Sequence, residues 1–299
     1  MKWEGQRESD NVEDRRGDGD GGAGGGGFGF GGGRGIGLGG IVIALLASWA
    51  FGINPLTVLG LLQGGGSGGG GAPMVQQHEV AKSKPRDPAG QFAAIVLADT
   101  EDVWSAYFAR SQQRYPAPTL VLFRGRTPTA CGSGESAMGP FYCPGDRKVY
   151  IDLAFFDTLR SRLGAPGDFA QAYVIAHEVG HHLQNLMGTT AKLEQARQRV
   201  SERDYNALSV RLELQADCYA GVWAMHSQQG KGWLDQGDIE EALNAAAQIG
   251  DDTLQRKARG TVVPESFTHG SSAQRVRWFK RGLGSGELKS CDTFGAASL

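Results

Sequence analysis

The sequence is short of cysteine and histidine and carries almost no excess charge, and each scarcity narrows what the chain can be. Its 30 Lys and Arg stand against 32 Asp and Glu, a net charge of −2. No long basic run occurs, so a nucleic-acid partner is not expected. The four cysteines, Cys131, Cys143, Cys218 and Cys291, form no C-x-x-C pair, which argues against a zinc ribbon and a thioredoxin-like motif. An even count fits two disulfides in an exported domain. Cys131 with Cys143 would close a short glycine-rich loop, and Cys218 with Cys291 would tie the chain end to a helix. Buried free thiols fit the count as well, and connectivity is not readable from sequence.

Glycine is abundant, with 47 in 299 residues, mostly in first-quarter runs such as Gly24 to Gly27, Gly31 to Gly33 and Gly64 to Gly71. Such runs bury too little apolar surface to offset the entropy of ordering. Residues 1–35, charged and then glycine-rich, therefore read as a disordered tail. Residues 36–62 contain no charge and centre on Ile41-Val42-Ile43-Ala44-Leu45-Leu46. A bilayer core requires about 20 apolar residues, so this stretch predicts one transmembrane helix. A buried core helix fits less well between two polyglycine segments. Lys2, Arg7, Arg15, Arg16 and Arg34 precede the span and no basic residue follows it before Lys82. The positive-inside rule then leaves the tail in the cytoplasm and the rest outside it. A cleaved signal peptide fits less well, because the tail is long and no A-x-A site follows.

Residues 63–90 read as a Gly/Ser- and then Lys/Pro-rich linker, and residues 91–299 as one domain large enough for a core. Apolar spacing predicts a helix over Phe92 to Arg110, and strands over Thr119 to Phe123 and Lys148 to Leu153. A further helix runs from Asp168, placed to cap it with Gln171 three positions on, to Met187. Two more cover Ala207 to Gln228 and Asp238 to Ile249. The expected fold is α+β, mainly helical with a small sheet, preceded by the disordered tail and the transmembrane helix.

On the helix from Asp168 stands His177-Glu178-Val179-Gly180-His181. Residues four apart share one helix face, so His177 and His181 can offer two imidazole nitrogens to one ion. Glu178 is then placed to take a proton from water at that ion. Gly180 costs about 1 kcal/mol of helix stability relative to Ala, which is reasonable if another backbone passes close by. A catalytic zinc needs a third protein ligand and one open position. Glu213 and Asp217 are again four apart on a later helix, on a face with the apolar or small Val210, Leu214 and Ala220. Buried carboxylates need a partner, so Glu213 is the expected third ligand and Asp217 the acceptor for the free nitrogen of a zinc-bound His. Two solvated acids are the bland alternative.

H-E-x-x-H followed by E-x-x-A-D resembles the gluzincins, and in that region the membrane-bound CAAX prenyl proteases. More widely, the chain resembles the bacterial neutral zinc metallopeptidases. The similar segments are the apolar stretch, Tyr142-Cys143-Pro144, Val149-Tyr150-Ile151-Asp152, the two metal segments and Phe267-Thr268-His269-Gly270-Ser271-Ser272. The resemblance implies a zincin-like fold, one Zn2+ per chain and hydrolysis of a peptide or protein substrate. The location it implies is the bacterial inner membrane, with the domain periplasmic. The prenyl proteases have several membrane spans, so their substrates do not transfer.

The resemblance also implies that His269 approaches the site and stabilises an oxyanion; a structural role is the alternative. His182, about 100° of helix rotation from His181, reads as a packing or surface residue, and His78 and His226 as surface residues. Ser136 to Tyr142 is a candidate substrate-binding edge strand, or a plain loop. The rival to a peptidase is a catalytically inactive or latent zinc-binding or holdase protein at the membrane.

Overall fold

A computed structural model describes residues 1–17 and 82–299. Helix α1 (Pro88–Ala109) starts where Asp87 accepts a hydrogen bond from the Gly90 amide, with proline in the first turn, a residue that loses no helical hydrogen bond there. It buries Phe92, Ile95, Val96, Leu97 and Trp104. The sheet runs in the order β1 (Val12–Asp14), β2 (Thr119–Phe123), β6 (Lys148–Asp152), β5 (Phe141–Cys143). The first two pairings are parallel, and β5 is antiparallel to β6. Residues alternate between faces along a strand. Leu120 and Leu122 of β2 accordingly enter the main core, while Val121 and Phe123 join a small cluster with Cys143 and Tyr150. Strands β3 (Arg126–Thr129) and β4 (Gly132–Glu135) form a separate hairpin. The short helix α2 (Ala154–Thr158) follows β6.

The helical layer consists of α3 (Asp168–Leu186), α4 (Thr189–Arg197), α5 (Glu202–Lys231), α6 (Asp238–Gln248), α7 (Asp251–Arg259) and α8 (Ser272–Ser285). Three glycines set how closely these helices approach. A Cβ on Gly180 of α3 would lie 3.1 Å from the Cα and carbonyl oxygen of Ala216 on α5. One on Gly221 of α5 would overlap the Phe279 carbonyl, and one on Gly282 of α8 the Cys218 carbonyl. The backbones of α3 and α8 are thus drawn against α5 on either side of residues 216–221. Trp223, Trp278, Phe169, Tyr173 and Phe279 fill the surrounding core, each worth roughly 1.5–3 kcal/mol by burial of its apolar surface.

The expectation of a disordered tail and a transmembrane helix before the domain is overturned. Residues 1–16 and 82–299 form one compact unit. Val12 is buried and β1 pairs with β2. Arg7 binds Glu101 and Asp102 of α1, while Ser9 and Asn11 donate to Glu101 at 2.6 and 2.7 Å. At the other end of the described gap, Ser83 donates its amide to the Val12 carbonyl at 2.9 Å. A chain that leaves this unit after Arg16 and rejoins it at Lys82 has both ends on one side of any membrane. A single crossing would put them on opposite sides. The span at residues 36–62 lies outside the described residues, as do His78, residues 18–35 and most of the linker assigned to 63–90. Among the described residues no helix is long and apolar enough to cross a membrane.

Asp168 does not cap α3 by its side chain; Gly167 is the N-cap residue. The Asp168 carboxylate is taken by the Met1 ammonium at 3.0 Å, a cation that also reaches Asp238. Helix α5 begins at Glu202, earlier than Ala207, because Ser201 accepts a hydrogen bond from the Asp204 amide and starts it there.

Both disulfides are formed, Cys131–Cys143 and Cys218–Cys291. The second spans 73 residues. In the chain-entropy account, closing a loop of that length stabilises the fold by about 4 kcal/mol. The double variant Cys218→Ala, Cys291→Ala is expected to lose about that much in urea unfolding. An unchanged midpoint would show that the bridge contributes nothing.

Candidate metal centre

His177 and His181 lie one turn apart on α3, and Glu213 faces them from α5. The Nε2 atoms of the two histidines are 3.2 Å apart. Glu213 Oε2 lies 3.2 Å from His177 Nε2, and its Oε1 lies 3.5 Å from His181 Nε2. Donors about 2.0–2.1 Å from a tetrahedral zinc ion are about 3.3–3.4 Å from one another. The three side chains therefore already stand at the spacing of zinc ligands, and their donor atoms all fall within 4.8 Å of one another.

The atoms behind them fix which nitrogen faces the centre. His177 donates Nδ1–H to Asp217 Oδ1 at 2.8 Å. Asp217 is fully buried and also accepts from Tyr173 and, at 2.9 and 3.0 Å, from Arg275 of α8. His181 donates Nδ1–H to Gln184 Oε1 at 2.8 Å. The Gln184 amide is oriented by its own donation to the Leu212 carbonyl and to Gln215. Both imidazoles thus spend Nδ1 on a protein acceptor and keep Nε2 for the shared centre, the arrangement that orients metal-binding histidines.

Electrostatics calls for a cation at the same point. Glu178, Glu213 and Asp217 place three largely buried carboxylates against the single guanidinium of Arg275, which leaves two negative charges for a divalent ion to neutralise. Without one, protons take its place. Burial opposes charging of His177, but Asp217 and Glu213 outweigh it and hold the imidazole at about 10. His181 is raised in the same way by Glu213. Burial would raise Glu213 and Asp217, yet the facing cations win: Glu213 is held well below its usual range, chiefly by His181, and Asp217 at about 2 by Arg275 and His177. Glu178 goes the other way, since burial pushes its carboxyl up against the pull of the two histidines.

His269 sits in the loop before α8 with its side chain 45 % exposed. Asp251, the first residue of α7, accepts the amides of Thr268, His269 and Gly270 at 2.8, 2.7 and 2.9 Å and faces His269 Nδ1 at 3.3 Å. Burial opposes protonation of His269, while Asp251 and Glu213 favour it, and the net shift is upward. The loop thus brings His269 within electrostatic range of Glu213, with no hydrogen-bond partner on Nε2 among the described residues.

His182 is completely buried: Nε2 donates to the Pro116 carbonyl at 2.6 Å and Nδ1 accepts from Tyr142 of β5 at 3.0 Å. Burial holds it at about 4. His226 is half-buried and bound to the Gly286 carbonyl. Of the segment Ser136 to Tyr142, Ser136–Met138 is a 3-10 turn, and only Phe141–Cys143 is strand, last in the sheet order. Sequence reasoning missed Gln184, Asp251, Tyr173 and Arg275. Gln184 and Tyr173 had a signal, because they lie three residues after His181 and four before His177 on one helix.

The chain belongs to the family described as "Putative neutral zinc metallopeptidase", which it matches over residues 1–294. It is 51 % identical over 296 residues to "Uncharacterized protein YpfJ" of Escherichia coli strain K12, covering 99 % of each chain. It is 45 % identical over 195 residues to "Uncharacterized protein Rv2575" of Mycobacterium tuberculosis strain H37Rv, covering 62 % of this chain and 65 % of that one. No solved structure matches.

Zinc binding is expected at one ion per chain and to be lost in Glu213→Gln. Asp217→Asn should weaken it by about 10- to 100-fold, because the His177 ring keeps at best a neutral acceptor in place of a carboxylate. The ion must displace protons that Asp217 and Glu213 hold on His177 and His181, so affinity should rise with pH. Competition against a chromophoric chelator at several pH values reads all three effects. Affinity that is flat with pH would contradict the histidine assignment.

Proposed function

We propose that the protein is a zinc peptidase that hydrolyses peptide bonds at this centre, with His177, His181 and Glu213 as metal ligands and Glu178 as general base. The observation that carries the reading is the convergence of two Nε2 atoms and one carboxylate at zinc-ligand spacing, with Glu178 beside them and not among the ligands. A structural zinc site is closed, commonly by four cysteine or histidine ligands. All four cysteines here are in disulfides, which leaves a three-ligand set with a position for water.

A zinc ion held there supplies polarisation of the scissile carbonyl and lowers the pKa of a coordinated water towards about 7. Glu178 receives the proton of the attacking water on its carboxylate and delivers it to the leaving nitrogen. The burial that raises its proton affinity suits both halves of that transfer. His269, held through Nδ1 by Asp251, offers Nε2–H to the oxygen that gains charge as the carbonyl is attacked. Asp217 and Gln184 keep the two ligand rings from rotating. A substrate chain would extend along β5, the last strand of the sheet, which Tyr142 and Asn185 tie to α3 at 2.9 Å. The two disulfides support maturation of the domain in an oxidising compartment outside the cytoplasm.

Glu178→Gln is expected to bind zinc as the parent does and to lose turnover by about 100-fold or more. Digestion of a broad peptide library by metal-loaded parent and variant, read by mass spectrometry, checks it. Equal cleavage by both would remove Glu178 from the mechanism. A zinc-loaded parent that cuts nothing would favour a binding protein.

A further inference from the structure

Behind His181 runs a buried chain of three hydrogen bonds that ends at the Cys218–Cys291 disulfide. His181 Nδ1–H donates to Gln184 Oε1 at 2.8 Å, Gln184 Nε2–H to Gln215 Oε1 at 3.2 Å, and Gln215 Nε2–H to the Cys291 carbonyl at 3.0 Å. Gln184 and Cys291 are fully buried and Gln215 nearly so. A side-chain amide fits either way round, donor for acceptor. The Cys291 carbonyl can only accept, so it turns the Gln215 oxygen towards Gln184, and Gln215 in turn directs the Gln184 oxygen towards His181. The Leu212 carbonyl, at 2.7 Å, takes the second hydrogen of the Gln184 amide in the same sense.

The polarity of this chain decides which nitrogen of His181 carries the proton. With an acceptor at Nδ1 the neutral ring keeps its hydrogen there and leaves the Nε2 lone pair for the centre. A reversed Gln184 would set an N–H against Nδ1, draw the hydrogen to Nε2 and close that nitrogen to a metal. His177 runs no such risk, because its partner Asp217 is a carboxylate, which when ionised only accepts. His181 is therefore the ligand whose readiness depends on the chain end. The Cys291 carbonyl meets Gln215 across 76 residues of sequence, and the disulfide to Cys218 holds it against α5. The residues that follow lie along the same helix. Thr293 donates to the Arg211 carbonyl at 2.6 Å, and Arg211 donates to the Ala296 carbonyl at 3.1 Å.

We propose that formation of the Cys218–Cys291 disulfide readies the centre for zinc, by fixing the tautomer of His181 through Gln215 and Gln184. Two protons and two electrons pass from the two thiols to the disulfide of a protein oxidant, which becomes a dithiol. A chain that still carries both thiols, as in a reducing compartment, holds zinc more weakly. The proposal rests on the zinc ligands of the peptidase reading and supplies their regulation. Gln215 and Gln184 are then positioning residues.

The test measures the zinc affinity of the full-length protein by competition with a chromophoric chelator, and the urea midpoint of each variant to confirm folding. Cys218→Ala with Cys291→Ala removes the bridge, and Gln215→Leu cuts the relay with the bridge intact. Each should lower affinity about fivefold to tenfold, less than the loss of a direct partner costs, because Leu212 still holds Gln184. Combined, they should lower it no further than either alone, since both act through one contact. That non-additivity separates the relay from a general loosening of the fold. Cys131→Ala with Cys143→Ala, which removes the other bridge, should bind zinc as the parent does. Affinity within about twofold of the parent in Gln215→Leu, losses that multiply in the combined variant, or an equal loss without the Cys131–Cys143 bridge would overturn the proposal. If the protein without the Cys218–Cys291 bridge does not fold, Gln215→Leu decides alone. A parent that takes up no zinc would remove the centre and the proposal with it. Relay-dependent zinc binding without cleavage of any peptide would sink the peptidase reading and leave the proposal standing.

Discussion

Three largely buried carboxylates meet at the junction of α3, α5 and α8 with one guanidinium to answer them, and that imbalance governs the structure around it. Burying charge without a partner is strongly unfavourable, so the fold must supply cations or be destabilised by their absence. Arg275 supplies one, and reaches Asp217 because Gly221 and Gly282 let α8 lie directly on α5. The remainder falls to the two histidines, as protons or as ligands of a divalent ion. Gly180 serves the same end on the opposite side: a Cβ there would lie 3.1 Å from the Ala216 backbone and would press α3 a few tenths of an ångström away from the helix that carries Glu213 and Asp217, the partners of His177.

The scaffold outside this junction holds its parts in register. Cys218 adjoins Asp217, and its partner Cys291 offers a carbonyl to Gln215, which in turn bonds Gln184 behind His181. The disulfide thus fixes the chain end against the residues that orient His181. On the far side of α3, buried His182 grips Tyr142 and so sets the distance between the sheet and the helix that carries His177 and His181. Two adjacent histidines on one helix therefore perform different tasks. His181 faces Glu213 and His177 in the charged junction, whereas His182 is neutral and wholly enclosed.

What could be read from the sequence followed from local periodicity. His177, Glu178, His181, Glu213 and Asp217 were legible because a spacing of four on a helix fixes a shared face whatever the rest of the chain does. Strand β2 was legible from its unbroken apolar run between turn residues. Arg275 was not, because its significance comes from a contact 58 residues away in the chain with Asp217. The first 16 residues were misread for a related reason. Their composition is that of a disordered tail, and their order derives from long-range partners: β2 for Val12, Glu101 and Asp102 for Arg7, and Asp87 for Arg16. The single membrane crossing failed with them. Hydropathy and flanking charge describe a segment, but only the pairing of β1 with β2 reveals that both ends of the gap return to one domain.

The central claim is that zinc sits on His177, His181 and Glu213 with a fourth position left to solvent. Diffraction from crystals of the metal-loaded protein at the zinc absorption edge tests it most directly, because the anomalous signal locates the ion independently of the protein coordinates. One peak per chain is expected, about 2.0–2.2 Å from His177 Nε2, His181 Nε2 and a Glu213 oxygen, with a water completing the shell and Glu178 uncoordinated. A peak elsewhere, or one closed by four protein ligands with Glu178 among them, would contradict the account.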